Sequence, residues 1–261
     1  MISVRLPQLA FLFVAATAPV AAVTIGFLNV ANNEDFNTLA SAVPGTSSAL
    51  PTGWALLETG SAANLTYATG TGSSATGDTY SFGSAAVPGD RAFGTLQSGS
   101  VVSTIGTIVT NATGGPITSL TISYVGEQWR LGTTGRTDQL DFSYSTNATG
   151  LSGGTWIDAN QLDFVTPNTG AATGLLDGNA GANRTAISFT LTGLNLGDGA
   201  SLWLRWSDFG ASGADDGLAI DDFSITAGGQ AQNTPDGLPL AFAAVLFGGL
   251  FLGASRHGKH A

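Results

Sequence analysis

From Leu120 onward, large apolar side chains in this chain take every second position. Leu120, Ile122 and Tyr124 alternate with Thr121 and Ser123, and Leu140, Phe142 and Tyr144 with Asp141 and Ser143. Ile187, Phe189 and Leu191 repeat the pattern against Ser188 and Thr190, as do Leu202, Leu204 and Trp206 around Trp203 and Arg205. A period of two puts alternate side chains on opposite faces of a strand, so each run predicts a strand with one buried face. Gly135, Gly153 with Gly154, and Gly197 to Gly199 supply the turns between them. Short strands at this spacing predict an all-β fold, a two-sheet antiparallel sandwich of jelly-roll type. Composition agrees: 37 glycines and abundant Ser and Thr disfavour helix interiors. No repeat of about 20 to 50 residues is visible, which argues against a propeller or solenoid.

Upstream the strands are shorter. Residues 64–81 are small and polar, with Tyr67 and Tyr80 as the large side chains, and read as short strands joined by long turns. Two more strands are expected between Arg91 and Thr110.

The two ends differ from this body. Residues 1–22 carry one early charge, Arg5, then an apolar run and small residues at Val20 and Ala22, the pattern of a cleaved export signal helix. At the other end Leu238 to Ala254 holds 17 residues without a charge, enough for one helix across a hydrocarbon core of about 30 Å. Arg256 and Lys259 follow and would keep that end in the cytoplasm. The expected organisation is therefore a signal (1–22), a sandwich domain (23–227), a linker (228–237), a transmembrane helix (238–254) and a basic tail (255–261).

The exported part is strongly acidic. Between residues 23 and 237 five arginines stand against all 18 acidic residues, a net −13 compared with −10 for the whole chain. Nucleic-acid affinity comes mainly from Lys and Arg neutralising phosphates, so DNA and RNA are set aside as partners. There is no Cys, and both His and the one Lys lie beyond the apolar run. Disulfides, Ser-His-Asp and Cys-His triads, His-ligated zinc and Schiff-base lysine chemistry are excluded in the body. Only carboxylate chemistry or a hard-cation site is left.

Pro235, Asp236 and Gly237, the spanning run, and the basic residues Arg256 and Lys259 together resemble the C-terminal sorting signal read by exosortases, the PEP-CTERM family, in its Val-Pro-Asp-(Ser/Gly) variant, with Thr234 where Val is usual. The resemblance implies an exosortase-type enzyme as partner and a destination at the cell surface or in an exopolysaccharide matrix. A plain membrane anchor is the other reading of the same segment.

The closing strand carries the most specific pattern of the body. Leu218 and Ile220 share one parity, Phe223 and Ile225 the other, so a β-bulge is expected at Asp221 and Asp222. The segment is similar to the closing Ile-Ala-Ile-Asp-Asp-Ile of MAM-like jelly rolls, and the opening Asp35-Phe36 with Gly53-Trp54 resembles their start. That resemblance implies a structural calcium ion with Asp35 and Asp222 as ligands, and Asp216 and Asp221 as further candidates. Four carboxylates so close repel each other unless a cation or donors offset them. The alternative is a solvated acidic turn.

Glu127, Trp129 and Arg130 sit at a predicted strand end, where a stacking ring and a guanidinium can engage a sugar, or where the ring is core and the Arg pairs internally. The body holds three scattered Glu (Glu34, Glu58 and Glu127) and lacks the clustered Glu-x-Asp-x-Glu of sandwich glucanases. The expectation is a non-enzymatic surface protein, with a carbohydrate-binding module as first alternative and a glycoside hydrolase as second.

Overall fold

The computed structural model describes residues 21–170 and 172–229. The expected signal helix, the sorting motif at Pro235 to Gly237, the run 238–254 and the basic residues Arg256 and Lys259 lie outside them. The strands are β1 (Val23–Ile25), β2 (Ala31–Glu34), β3 (Gly45–Ser47), β4 (Trp54–Thr59), β5 (Tyr67–Gly70), β6 (Asp78–Phe82), β7 (Ala92–Leu96), β8 (Val102–Asn111), β9 (Ile117–Leu131), β10 (Gln139–Ser145), β11 (Ile157–Asp158), β12 (Phe164–Val165), β13 (Gly174–Leu175), β14 (Arg184–Leu196), β15 (Ser201–Asp208) and β16 (Gly217–Gly229). Among the described residues the only helix is a 3-10 turn at Asn160–Leu162.

They form two sheets. The first runs β1-β8-β15-β10-β11, with β4 also on β8 and β12 also on β10. The second runs β13-β9-β16-β7-β6-β5-β3, with β14 also on β9 and β2 also on β16. Most ladders are antiparallel, as expected; β1 with β8 and β5 with β6 are parallel. β16 continues to Gly229, two residues past the expected boundary, because Gly228 and Gly229 still pair with Ser119 and Ile117.

The alternating runs do what a period of two predicts. Leu120, Ile122 and Tyr124 on β9, Leu140 and Phe142 on β10, and Leu202, Leu204 and Trp206 on β15 all point into one core between the sheets. Trp206 is at its centre. Its ring stacks on Trp54 at 5.9 Å and meets Phe142, Tyr124 and Phe223 edge-on at 5.1, 5.4 and 5.9 Å. Trp54 in turn meets Phe36 at 4.6 Å and Phe223 at 5.2 Å. The two indoles come from the first sheet; Tyr124 and Phe223 come from the second. Offset and edge-to-face rings add roughly 0.5–1.5 kcal/mol per pair beyond the area they bury. Arg205, on the opposite face of β15, lies 3.8 Å over the Trp156 ring.

Truncating Trp206 removes the ring that four others contact, and a cavity of that size cannot collapse. Trp206→Ala should destabilise the domain by about 3–5 kcal/mol, read as a drop in the midpoint of chemical denaturation, whereas Val102→Ala at an exposed strand position should leave it nearly unchanged.

Candidate functional site

The bulge expected in β16 is present. Leu218 and Ile220 face the core, Asp222 has a φ of 48°, the register with β9 shifts between Asp221 and Ser224, and Phe223 and Ile225 then face the core. The bulge falls where β16 changes partner on its other edge, from β7 at Leu218–Ile220 to β2 at Phe223–Thr226.

The four carboxylates expected around a calcium ion are not brought together. Asp216 is fully buried at the start of β16; its Oδ1 accepts from Gly132 N–H (2.7 Å) and its Oδ2 from Gln128 Nε2–H (2.8 Å). Asp221 is drawn in, and its Oδ1 accepts the Asp222 N–H at 2.7 Å. Asp222 stays in solvent, 3.8 Å from Arg184 Nη2. Asp35, also exposed, accepts from Asn37 N–H at 3.1 Å. The β2–β16 ladder ends at the pair Phe223 and Glu34, and Asp222 and Asp35 are the next residues beyond it. Among the described residues no group of three or more His, Asp or Glu is arranged to hold a metal ion.

Glu127, Trp129 and Arg130 form a packing unit, so of the two readings the sequence leaves open the indole follows the core one and not that of an open sugar platform. The β9–β16 pairing skips Trp129, passing from Gln128 opposite Leu218 to Arg130 opposite Gly217. The indole of this extra residue enters a second small core on the outer face of the second sheet, with Tyr80, Phe82, Leu96 and Ala219. It stacks on Phe82 at 6.0 Å, and Gly178 closes over it so tightly that a Cβ there would come within 2.4 Å of the ring. Trp129 Nε1–H donates to Glu127 Oε2 (3.0 Å), and Glu127 has no exposed surface. Arg130 donates to the Gly72 and Ser73 carbonyls at 3.2 Å each.

Burial raises the Glu127 carboxyl to about 7, against the pull of Arg184 and the Trp129 bond. Burial likewise raises Asp221 to about 8, and Glu127 and Asp222 push it further in the same direction. The segment 177–183 is tied to the neighbouring strands: Asn179 Nδ2–H donates to Asp90 Oδ2 and Gln128 N–H to the Asn183 carbonyl, both at 2.8 Å.

At the end of the sandwich where β9 and β15 finish, Arg136 acts as a clamp. It lies 3.2 Å from Asp138 and 3.8 Å from Asp216, and donates to the carbonyls of Ser212 (2.8 Å) and Ala214. Asp138 Oδ2 accepts the Asp216 N–H at 2.8 Å, so the loops 132–138 and 209–216 are fixed to one another. Beneath them Asp208 is buried, with one oxygen bonded to Thr95 Oγ1–H (2.8 Å) and the other unpartnered; burial holds its carboxyl well above the usual range. Above them the loops enclose a shallow cleft of ≈ 620 Å³, lined by Arg136, Thr137, Thr169, Gly210 and the half-exposed ring of Phe209.

Sequence reasoning missed two acidic groupings. Asp141, Asp158 and Asp163 come from three elements to line a polar pocket of ≈ 220 Å³, where burial raises Asp163 although the Phe142 N–H bond at 2.7 Å opposes it. Glu58 on β4 reaches across to β6, accepting from Thr79 N–H (2.7 Å), and burial together with that carboxylate raises Asp78 to about 7. No spacing in the sequence marks either grouping.

No protein-family model matches the sequence, and no curated protein does. Solved structures of similar form include the CBM22-1 xylan-binding domain from Paenibacillus barcinonensis Xyn10C (10% identity, 79% of this chain and 97% of that one, TM-score 0.34). Others are the K3 cleaved adhesin domain of Lys-gingipain from Porphyromonas gingivalis (16%, 52% and 74%, TM-score 0.34) and TmCBM61, solved with β-1,4-galactotriose (9%, 53% and 72%, TM-score 0.29).

The raised carboxyls carry a sign for stability. Glu127 and Asp221 bind protons more tightly folded than unfolded, so their contribution is complete below about pH 4 and is lost as pH rises through about 7 and 8. The melting temperature should therefore fall between about pH 5 and pH 8, and Glu127→Gln should flatten that fall; a variant with the wild-type slope would show that Glu127 does not titrate there.

Proposed function

We propose that this is an exported, non-enzymatic surface protein, a β-sandwich held at the outer face of a membrane through residues 238–254 until an exosortase-type enzyme acts at Pro235, Asp236 and Gly237. Its destination is the cell surface or an exopolysaccharide matrix. The observation that carries this reading is the order of the chain. Among the described residues the core is filled by side chains from Ile25 to Ala227 and β16 has partners on both edges, and the motif, the apolar run and the basic residues all follow these in the sequence. A non-catalytic role is supported by the fate of Glu127 and Asp221, both of which are buried. In a host with such an enzyme, mass spectrometry of the mature protein should find a C-terminus near Pro235. An intact Arg256 to Ala261 end, retained in the membrane, would leave only a plain anchor.

Carbohydrate binding is the alternative supported by one site, the cleft over the Arg136 clamp. It offers a half-exposed aromatic face, rigid walls and many backbone groups, which suits a sugar ring that needs stacking plus hydrogen bonds. Phe209→Ala should then abolish retention on the glycans that the wild type captures on an array, without changing its melting temperature.

A structural calcium ion held by Asp35 and Asp222 belongs to the same proposal, supported by their positions just past the Phe223 and Glu34 pair that ends the β2–β16 ladder. Calcium added to EDTA-treated protein should raise the melting temperature, and Asp222→Asn should remove that rise.

A further inference from the structure

The two poles of the sandwich differ in charge. The pole described above holds Arg136, Asp138, Asp208, Asp215 and Asp216. The opposite pole is where β8 and β16 end and where β9 and β15 begin, as the pairs Ser201 with Thr110 and Gly229 with Ile117 show. It is built from residues 26–30, 50–53, 112–116, 197–200 and 227–229, joined by Asn29 N–H to the Ala227 carbonyl, Ala112 N–H to the Ile25 carbonyl and Gly199 N–H to the Asn111 carbonyl, each 2.8 Å. The only charged residue in those segments is Asp198, whose Oδ1 accepts the Gly114 N–H at 2.9 Å.

That uncharged pole also carries the most exposed large apolar side chain among the described residues, Phe27 at 74%, with Val30 at 51%. Leu28 between them packs beside Gly229. Covering Phe27 and Val30 together would remove this apolar surface from water.

We infer that this pole, with Phe27 and Val30 at its tip, rests on the lipid surface of the membrane from which the domain emerges. Three observations single out lipid as the occupant. β16 leaves the domain at this pole, at Gly229, and eight residues later the uncharged run from Leu238 to Ala254 begins. Eight residues reach at most about 30 Å, so a domain anchored by that run stays within touching distance of the bilayer. All the acidic residues of the described chain except Asp198 lie outside this pole, so it approaches anionic headgroups at low electrostatic cost. An exposed aromatic and an exposed β-branched side chain suit the boundary between headgroups and acyl chains. The cleft beside Phe209 then points away from the membrane.

This inference rests on the anchor reading of residues 238–254, and the experiment separates the two. The chain lacks cysteine, so Ala112→Cys at the uncharged pole and Thr169→Cys at the charged one each create a single site for an environment-sensitive fluorophore. Full-length protein is reconstituted into vesicles of phosphatidylethanolamine and phosphatidylglycerol containing nitroxide-labelled lipid. The label at 112 should be quenched several-fold more than the label at 169, and adding Phe27→Ser with Val30→Ser should bring the two close together. Weak quenching at both sites in vesicle-bound protein overturns the inference and leaves the anchor intact. Strong quenching at both means that the domain lies on its side and also overturns it. A blue-shifted label at 112 that lipid nitroxides do not quench marks a second copy as the occupant, with the same result. Protein that fails to sediment with the vesicles overturns the anchor reading, and the inference with it.

Discussion

The sandwich depends on one contact region, the packing of Trp54 and Trp206 from the first sheet against Tyr124, Phe93 and Phe223 from the second. A chain with so many small residues has few side chains large enough to bridge the distance of about 10 Å between stacked sheets. The aromatic rings supply that thickness where the strands are longest. Around them the many Ser, Thr and Gly positions of the strands need only keep the ladder and stay thin.

A second constraint is electrostatic. With five arginines and no lysine in the body, the chain cannot neutralise its carboxylates pairwise. It uses two other devices. Asp216 and Asp138 accept backbone and amide N–H groups and share Arg136. Glu127, Asp221, Asp78 and Asp208 lose solvent, and their affinity for a proton rises instead. Both devices keep acidic side chains inside a folded domain without a counterion for each.

The strands from Leu120 onward were legible in the sequence because one face of each meets the core and the other meets polar surroundings, the condition under which period two is visible. The bulge at Asp221 and Asp222 was legible for the same reason, as a change of phase. Trp129 was not. It is the extra residue of a bulge in β9, and the second sheet is buried on both faces there, so parity carries no information about which way the ring points. The acidic groupings were illegible on other grounds: Asp141, Asp158 and Asp163, or Glu58 and Asp78, meet only through the sheet topology. The Arg136 clamp was not anticipated, because Asp138, Asp216 and the carbonyls it holds meet only in the fold.

The position of β16 bears on the timing of folding. It is the last strand among the described residues, yet it lies in the middle of the second sheet, between β9 on one side and β7 with β2 on the other. Until it arrives, three strands have an unfilled edge and the core lacks Ile220, Phe223 and Ile225. Contacts of such long sequence separation form late and slowly. The chain therefore stays open through most of its length, and it locks only when this strand slots between its neighbours.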